Sequence, residues 1–314
     1  MGNIIAELCQ NHKGDREMMR KMIHSAAEAG ADYVKIQTIR GEFLTHRPQF
    51  DEGVVEDGIT KVIKRPYQAE YERLSLLDID MDDHLWFIEE CRTAGIKSMT
   101  TAFTRGVVNE LASMDWDAIK VASYDCASFP LLNDLKNGFK KIFVSTGSTY
   151  DEEIEQAGKI LNGSDFTFLH CVTVYPTPLD RLDLSRIDYL RKFSQNVGFS
   201  DHTLVSRDGI KAAAAALYYG AETIERHFTI LEADQTKDGP VSITPDLLKE
   251  LVGLARMTRE DLKGYIEERV PEYETMLGTQ QRELSAEELL NRDYYRGRFA
   301  TKTSDGKTIY NWEE

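Results

Sequence analysis

The chain has 314 residues, with 38 Lys and Arg against 53 Asp and Glu, for a formal net charge of −15. Hydrophobic residues make up 41% and charged residues 29%, a globular composition that excludes disorder and collagen-like repeats. The acidic balance argues against nucleic acid or an anionic membrane surface as partner, and no apolar run reaches the roughly 18 to 20 residues of a membrane helix. It leaves room for an anionic small substrate, because a few Lys in a cleft can hold phosphate on an acidic protein. The start, MGNIIAELCQ, lacks the basic segment and cleavage site of a signal peptide. Cys9, Cys91, Cys126 and Cys171 are scattered without a CxxC pair. Both features point to a reducing cytoplasm.

Short β-branched runs alternate with stretches of helical apolar spacing. The pattern predicts a strand at Ile4–Leu8 and a helix at Arg16–Ala29, then a strand at Tyr33–Thr38. A long polar segment, Arg40–Asp80, follows and reads as a lid or substrate loop, or as a solvated insertion. Next come a helix at Asp82–Ala94, a strand at Lys97–Ala102 and a helix at Val107–Met114. The alternation continues with Ala118–Ser123 and Pro130–Lys136, Lys141–Ser145 and Asp151–Leu161, Phe166–Cys171 and Leu184–Phe193. It closes with Asn196–Ser200 and Ser206–Tyr219, then Glu222–Phe228 and Pro245–Leu262. Eight strand–helix units of this length predict an α/β fold, a closed (β/α)8 TIM barrel, with a doubly wound sheet as the alternative. Residues 1–264 form the expected barrel domain. Residues 265–314 form a C-terminal extension, in which Ser285 and Glu288 have the spacing of a capping box.

Every predicted strand ends in a polar group: Glu7; Lys35 and Gln37; Thr100 and Thr101; Lys120 and Ser123; Ser145 and Thr146; His170 and Thr173; Asp201 and His202; Glu225 and His227. Barrel interiors prefer apolar residues and barrel enzymes carry their chemistry at this end, so an active site is expected there. Lys35 in VKIQT and Lys120 in IKVAS need anions nearby. Glu7 or Glu225 can supply them as structural ion pairs. Alternatively the two ammonium groups hold a phosphate or carboxylate, helped by Ser145, Thr146 and the amides through Gly147. A Schiff-base Lys is a third reading. His202 and His227 end adjacent strands, and two neutral imidazoles there can share a metal ion. Asp201 and Glu225 are possible ligands or supports for it. His12 is expected on the same side. No GxGxxG or GxxxxGK[ST] motif occurs, which disfavours a dinucleotide or P-loop site.

The strings IIAELCQNHKGD, EAGADYVKIQT, TTAF, IKVASYDCASFPLL, VSTGS, LHCVTVYPTP, VGFSDHT and GAETIERHFT occur here in one order. On them the sequence resembles the sialic acid (N-acetylneuraminate) synthase family over about residues 3–242. The resemblance implies a barrel that condenses phosphoenolpyruvate with an aldose, aided by a divalent metal, Mn²⁺ or Mg²⁺, on His202 and His227. It implies that Lys35 and Lys120 bind phosphoenolpyruvate, with hydroxyl contacts from Ser123, Ser145 and Ser200. Gln37, Thr101, Thr173 and Tyr175 fall on the substrate side, and Glu7 or Asp125 near the reacting centre as proton shuttles. It also implies a homodimer.

Three positions depart from the family pattern: Asp125 stands for Glu, Thr173 for Asn, and Gly239-Pro240-Val241 for Gly-Pro-Asp, unless Asp238 substitutes. All three fall on the aldose side. The extension resembles the start of the family's antifreeze-like (SAF) domain, so a variant lacking that domain is expected, with Arg296 or Arg298 supplying its sugar-side guanidinium. A Schiff-base aldolase and a catalytically weak sugar- or phosphate-binding relative are the alternative readings.

Overall fold

Eight parallel strands close into a barrel in the computed structural model, which describes residues 2–314. They are β1 (Asn3–Glu7), β2 (Tyr33–Thr38), β3 (Lys97–Ala102), β4 (Ala118–Val121), β5 (Lys141–Ser145), β6 (Asp165–His170), β7 (Asn196–Asp201) and β8 (Thr223–His227). Each pairs with its sequence neighbours, and β8 closes on β1. This is the (β/α)8 barrel the alternation predicts. Side chains alternate across a strand. One set faces the surrounding helices and joins the main apolar core, as Ile4, Val34, Ile119, Val144 and Ile224 do. The other set fills the barrel interior, where Ile5, Tyr33, Met99, Ala118, Phe143 and Leu169 form a separate apolar plug. Gly198 is part of that plug's geometry: a Cβ there would meet the Thr223 carbonyl oxygen at 2.3 Å and Leu169 Cδ2 at 2.6 Å.

Local chemistry sets the helix ends. Asp15 caps Arg16–Glu28 through the Glu17 and Met18 amides, and Asp80 forms a capping box with Asp83 at Met81–Ala94. Two predicted helices are each split. Gly209, at φ +55°, separates Val205–Asp208 from Lys211–Tyr219. Thr258 caps a new helix, so Pro245–Leu262 becomes Pro245–Arg256 and Arg259–Arg269. The boundary drawn at residue 264 therefore falls inside a helix. Among the described residues, no helix is long and apolar enough to cross a membrane.

The segment Arg40–Asp80 is more structured than a polar loop. It holds helix Tyr67–Ser75 and a hairpin of Val54–Glu56 with Ile59–Val62. The C-terminal extension carries helix Ala286–Tyr295, opened by the Ser285–Glu288 capping box. The two segments are joined. Leu44 bridges Phe299, the Ala300 amide donates to the Phe43 carbonyl at 3.0 Å, and the Thr45 amide to the Arg298 carbonyl at 2.9 Å. Arg47 donates to the Asp293 and Arg296 carbonyls at 3.0 and 3.2 Å, a cation at a helix C-terminus.

Asp125, expected as a catalytic carboxylate, belongs to this scaffold. Its Oδ1 accepts from Ser128 Oγ at 2.9 Å and from Asn311 Nδ2 at 2.8 Å, which ties the end of the chain to the loop after β4. Burial lifts the carboxyl to about 6, against the bonds from Asn311 and Ser128. A raised carboxyl favours folding below its unfolded pKa and loses that favour as pH climbs through the folded value. Asp125→Asn is therefore expected to gain roughly 1 to 3 kcal/mol over the parent between about pH 4 and about pH 7. Urea denaturation at both pH values checks this; a pH-independent difference would show that the carboxyl is not buried in this way.

A second prediction concerns the outward face of β7 and β8. Arg226 and Asp201 are register partners, both side chains are 0% exposed, and they form an ion pair. Arg226 also donates to the Thr203 carbonyl at 3.0 Å. Arg226→Met leaves Asp201 buried without its partner and is expected to cost about 3 to 5 kcal/mol. The double change with Asp201→Asn should recover part of that loss in the same denaturation measurement.

Candidate active site

Two residues beyond the apolar plug the inward-facing positions turn polar on six of the eight strands, Leu169 being followed by Cys171 instead. Ile5 is followed by Glu7, Tyr33 by Lys35, Met99 by Thr101, Ala118 by Lys120, Phe143 by Ser145, and Gly198 by Ser200. This ring is the floor of a cavity of about 470 Å³ at the C-terminal end of the barrel, where barrel enzymes carry their sites.

The floor is a compensated set of buried charges. Lys35 Nζ contacts Glu7 Oε2, donates to Thr101 Oγ1 at 2.9 Å and lies 3.7 Å from Glu225 Oε2. Lys120 Nζ donates to Ser145 Oγ at 2.7 Å and lies 3.7 Å from Glu225 Oε1. Ser200 Oγ donates to the same Glu225 oxygen at 2.9 Å. Gln37 Nε2 and the Cys9 amide donate to Glu7 Oε1 at 3.2 and 2.8 Å. Burial alone would raise the Glu225 carboxyl, but Lys120 and Lys35 outweigh it and hold it at about 2. Burial pulls the Lys35 ammonium down to about 7, with Glu225 opposing the shift and Lys120 adding to it. Both readings of the two lysines thus describe real features: they are ion-paired, and they face a cavity.

Across the cavity stand His202 and His227, their ring centroids 5.4 Å apart. His202 Nδ1 lies 3.1 Å from the Val172 carbonyl. That bond puts the proton on Nδ1 and leaves Nε2 as the lone-pair donor. His227 Nδ1 is buried with no partner. Burial keeps both rings neutral: His202 falls to about 4, and His227 well below its ordinary value, with His202 adding to its shift. Tyr175 lies over His202, its hydroxyl 3.4 Å from Nε2.

Of the residues expected from sequence, Glu7, Lys35, Gln37, Thr101, Lys120, Ser123, Ser145, Tyr175, Ser200, His202 and His227 line this cavity. Asp125 and Thr173 do not. Thr173 turns to Ser148, and its carbonyl accepts from Asn291 Nδ2 at 2.9 Å. Asp201 faces outward to Arg226, because it alternates with Ser200. His12 is buried with Nδ1 accepting from the Gly14 amide at 3.1 Å. The Thr146 amide is already used by the Leu169 carbonyl. Arg298 lines the cavity, whereas Arg296 stacks on Trp312. Sequence reasoning missed Tyr295, Asn291, Arg65 and Lys237 as wall residues. The tertiary placement of the insertion, the tail and the loop after β8 brings them there.

The comparisons with known proteins agree with this geometry. The NeuB family model matches residues 22–267. N,N'-diacetyllegionaminic acid synthase from Campylobacter jejuni is 32% identical over 262 residues, 79% of this chain and 73% of the relative. Among solved structures, the spore coat polysaccharide biosynthesis protein SpsE of Bacillus subtilis has a TM-score of 0.73 at 27% identity, covering 98% of this chain and 84% of the other. The N-acetylneuraminic acid synthetase of Leptospira borgpetersenii has a TM-score of 0.69 at 26% identity, covering 93% and 90%. Sequence strings, barrel and family model converge on one assignment: the chain belongs to the NeuB family.

Proposed function

We propose that this chain condenses phosphoenolpyruvate with an aldose, giving a 3-deoxy-2-keto sugar acid and inorganic phosphate. The observation that carries the reading is a pair of buried lysines sharing Glu225 on one side of a cavity, with two neutral histidines converging on the other. Related synthases of legionaminic and N-acetylneuraminic acid support the reaction class. A cytoplasmic location and a product destined for surface polysaccharide belong to the same reading. The four cysteines are free and buried, in keeping with a reducing compartment.

The residues account for the chemistry. Lys35 and Lys120 hold the phosphate and carboxylate, with Ser123, Ser145 and Ser200 as hydroxyl donors. The C3 carbon of phosphoenolpyruvate attacks the aldehyde carbon, and the aldehyde oxygen takes a proton. Water adds to the cationic C2, and the proton it releases, accepted by Glu7, balances the one the aldehyde oxygen takes. The tetrahedral intermediate expels phosphate by C–O cleavage. Fixed lysine charges hold the phosphate and carboxylate while charge shifts through these steps, so positioning and electrostatics supply most of the rate.

His202 and His227 fit a divalent ion, Mn²⁺ or Mg²⁺: both are neutral, and His227 keeps a buried nitrogen without a partner. No cluster of three or more His, Cys, Asp or Glu ligands occurs among the described residues, so the two histidines would hold the ion together with water or substrate oxygens. Such an ion supplies Lewis-acid polarisation of the aldehyde oxygen.

The decisive experiment measures phosphate release from phosphoenolpyruvate with Mn²⁺ or Mg²⁺ and a panel of aldoses, against an EDTA control. Sugar-dependent, metal-dependent release is expected. Tight phosphoenolpyruvate binding without release from any sugar would favour a binding relative, and borohydride trapping of Lys35 a Schiff-base aldolase. His202→Ala or His227→Ala should abolish release while leaving the circular dichroism spectrum unchanged; near-normal turnover without added metal would sink the metal assignment. Lys35→Ala should weaken phosphoenolpyruvate binding at least about tenfold, or about 1.4 kcal/mol. The depressed Lys35 ammonium also sets a sign for pH. Binding an anion restores its charge, so affinity is full below about pH 7 and declines as pH rises toward about 9. Calorimetric titration with phosphoenolpyruvate across that range checks it.

A further inference from the structure

Above the floor, at the mouth of the same cavity, lies a second cationic group. Arg65 from the insertion, Lys237 from the loop after β8 and Arg298 from the tail all line the cavity. Arg73 stands beside them. The carboxylates among them are Glu70 and Asp238. Arg73 donates to Glu70 at 2.9 Å, Arg298 pairs with the same oxygen, and Lys237 lies 3.8 Å from the other. Glu287 also borders the cavity but is exposed and pairs with none of the four cations.

The charges do not balance. Four cations meet two carboxylates, in a protein whose formal charge is −15. Lys237 registers the excess: burial lowers its ammonium, Glu70 opposes this, and Arg73, Arg298 and Arg65 push it further down. The Nε atoms of Arg65, Arg73 and Arg298 are buried without a hydrogen-bond partner. Arg298 is only 7% exposed, so water does not readily satisfy it. Arg298 spends one nitrogen on Glu70 and keeps a buried Nε–H without an acceptor, so this cation-rich wall retains donor capacity for an anion.

We infer that this cluster binds a phosphate monoester on the aldose, at the end of the sugar opposite its aldehyde. The inference rests on the synthase reading above. Two uncompensated positive charges match a monoester, which carries about −1.5 to −2 at neutral pH, and guanidinium forks suit its oxygens. The placement also matches. Lys35, Lys120 and the histidines sit at strand ends, while the cluster comes from the insertion, the loop after β8 and the tail. A sugar spanning the cavity puts its aldehyde at the floor and its far end at the mouth.

The test is calorimetric titration of the intact protein with N-acetylmannosamine and N-acetylmannosamine 6-phosphate. Phosphoenolpyruvate is kept saturating to occupy the floor, and EDTA prevents turnover. The phosphorylated sugar is expected to bind at least about tenfold more tightly than its neutral counterpart. Lys237→Met and Arg65→Met, both partly exposed positions, should each erase most of that preference while leaving phosphoenolpyruvate affinity and the thermal midpoint unchanged. Equal affinity for the two sugars, or no detectable binding of the phosphorylated one, overturns the proposal. So does a preference that survives in both variants, since the phosphate then sits elsewhere. Phosphate release is measured in parallel. Selective binding of the phosphorylated sugar without release from any aldose would sink the synthase reading and leave the phosphate site standing.

Discussion

The barrel can bury Lys35 and Lys120 only because Glu7 and Glu225 are buried with them. An unpaired ammonium in that position would cost several kcal/mol, more than a domain of ordinary stability can spare at two sites. Glu225 is the shared element, 3.7 Å from each ammonium and fixed by Ser200. Its two oxygens face two different strands, so its orientation is set by cross-barrel charge as well as by its own rotamer. The outward faces of the same strands carry the complementary device. Asp201 and Arg226 alternate with Ser200 and Glu225, and their fully buried pair ties β7 to β8. The strands that present Ser200, His202, Glu225 and His227 are therefore held from both sides of the sheet.

The walls depend on a different interaction. Residues 43–45 and 298–300 are far apart in sequence, yet they form a short antiparallel bridge. Arg47 then satisfies carbonyls at the end of helix Ala286–Tyr295, where carbonyls lack partners of their own. Asn311 pins the end of the chain to the Phe103 carbonyl and to Asp125. These contacts give the tail a defined position over the barrel. Tyr295, Asn291 and Arg298 become cavity walls as a consequence. A roof from the same chain narrows the opening above the charged floor, and excluding water strengthens every electrostatic contact beneath it.

The floor was legible in the sequence because two periods coincide there. Strand alternation decides which residues face inward, and a switch from apolar to polar along one strand marks the end that carries chemistry. Glu7, Lys35, Thr101, Lys120, Ser145 and Ser200 all follow that rule. It stops at the strand end; beyond it Ser123, Tyr175 and His202 were named from the family strings and the paired histidines, and all three line the cavity. Asp125 and Thr173 lie just beyond β4 and β6, where the chain turns and alternation no longer fixes direction. Asp201 was misjudged for the opposite reason: it lies inside β7, where alternation sends it outward. Arg298 was named only through the family resemblance, while Arg65 and Lys237 carry no local signal, since the insertion and the loop after β8 bring them to the cavity from separate parts of the sequence. Helix limits failed where one residue redirects the chain, as Gly209 and Thr258 do.

The contrast between the whole molecule and its cavity has a physical meaning. Surface carboxylates give the protein its net charge, but their field is screened within roughly 8 to 10 Å at physiological salt. Inside the cavity the low-dielectric walls lie close by, so Lys35, Lys120, Arg65, Lys237 and Arg298 act on an anion at short range and with less screening. An anion therefore meets repulsion only at a distance, where it is weak, and attraction where it is strong. A small anion that fits gains charge-assisted hydrogen bonds from lysines whose counter-ions are Glu7 and Glu225, already in place. The empty site is thus charge-compensated, and accepting an anion exchanges partners at two ammonium groups.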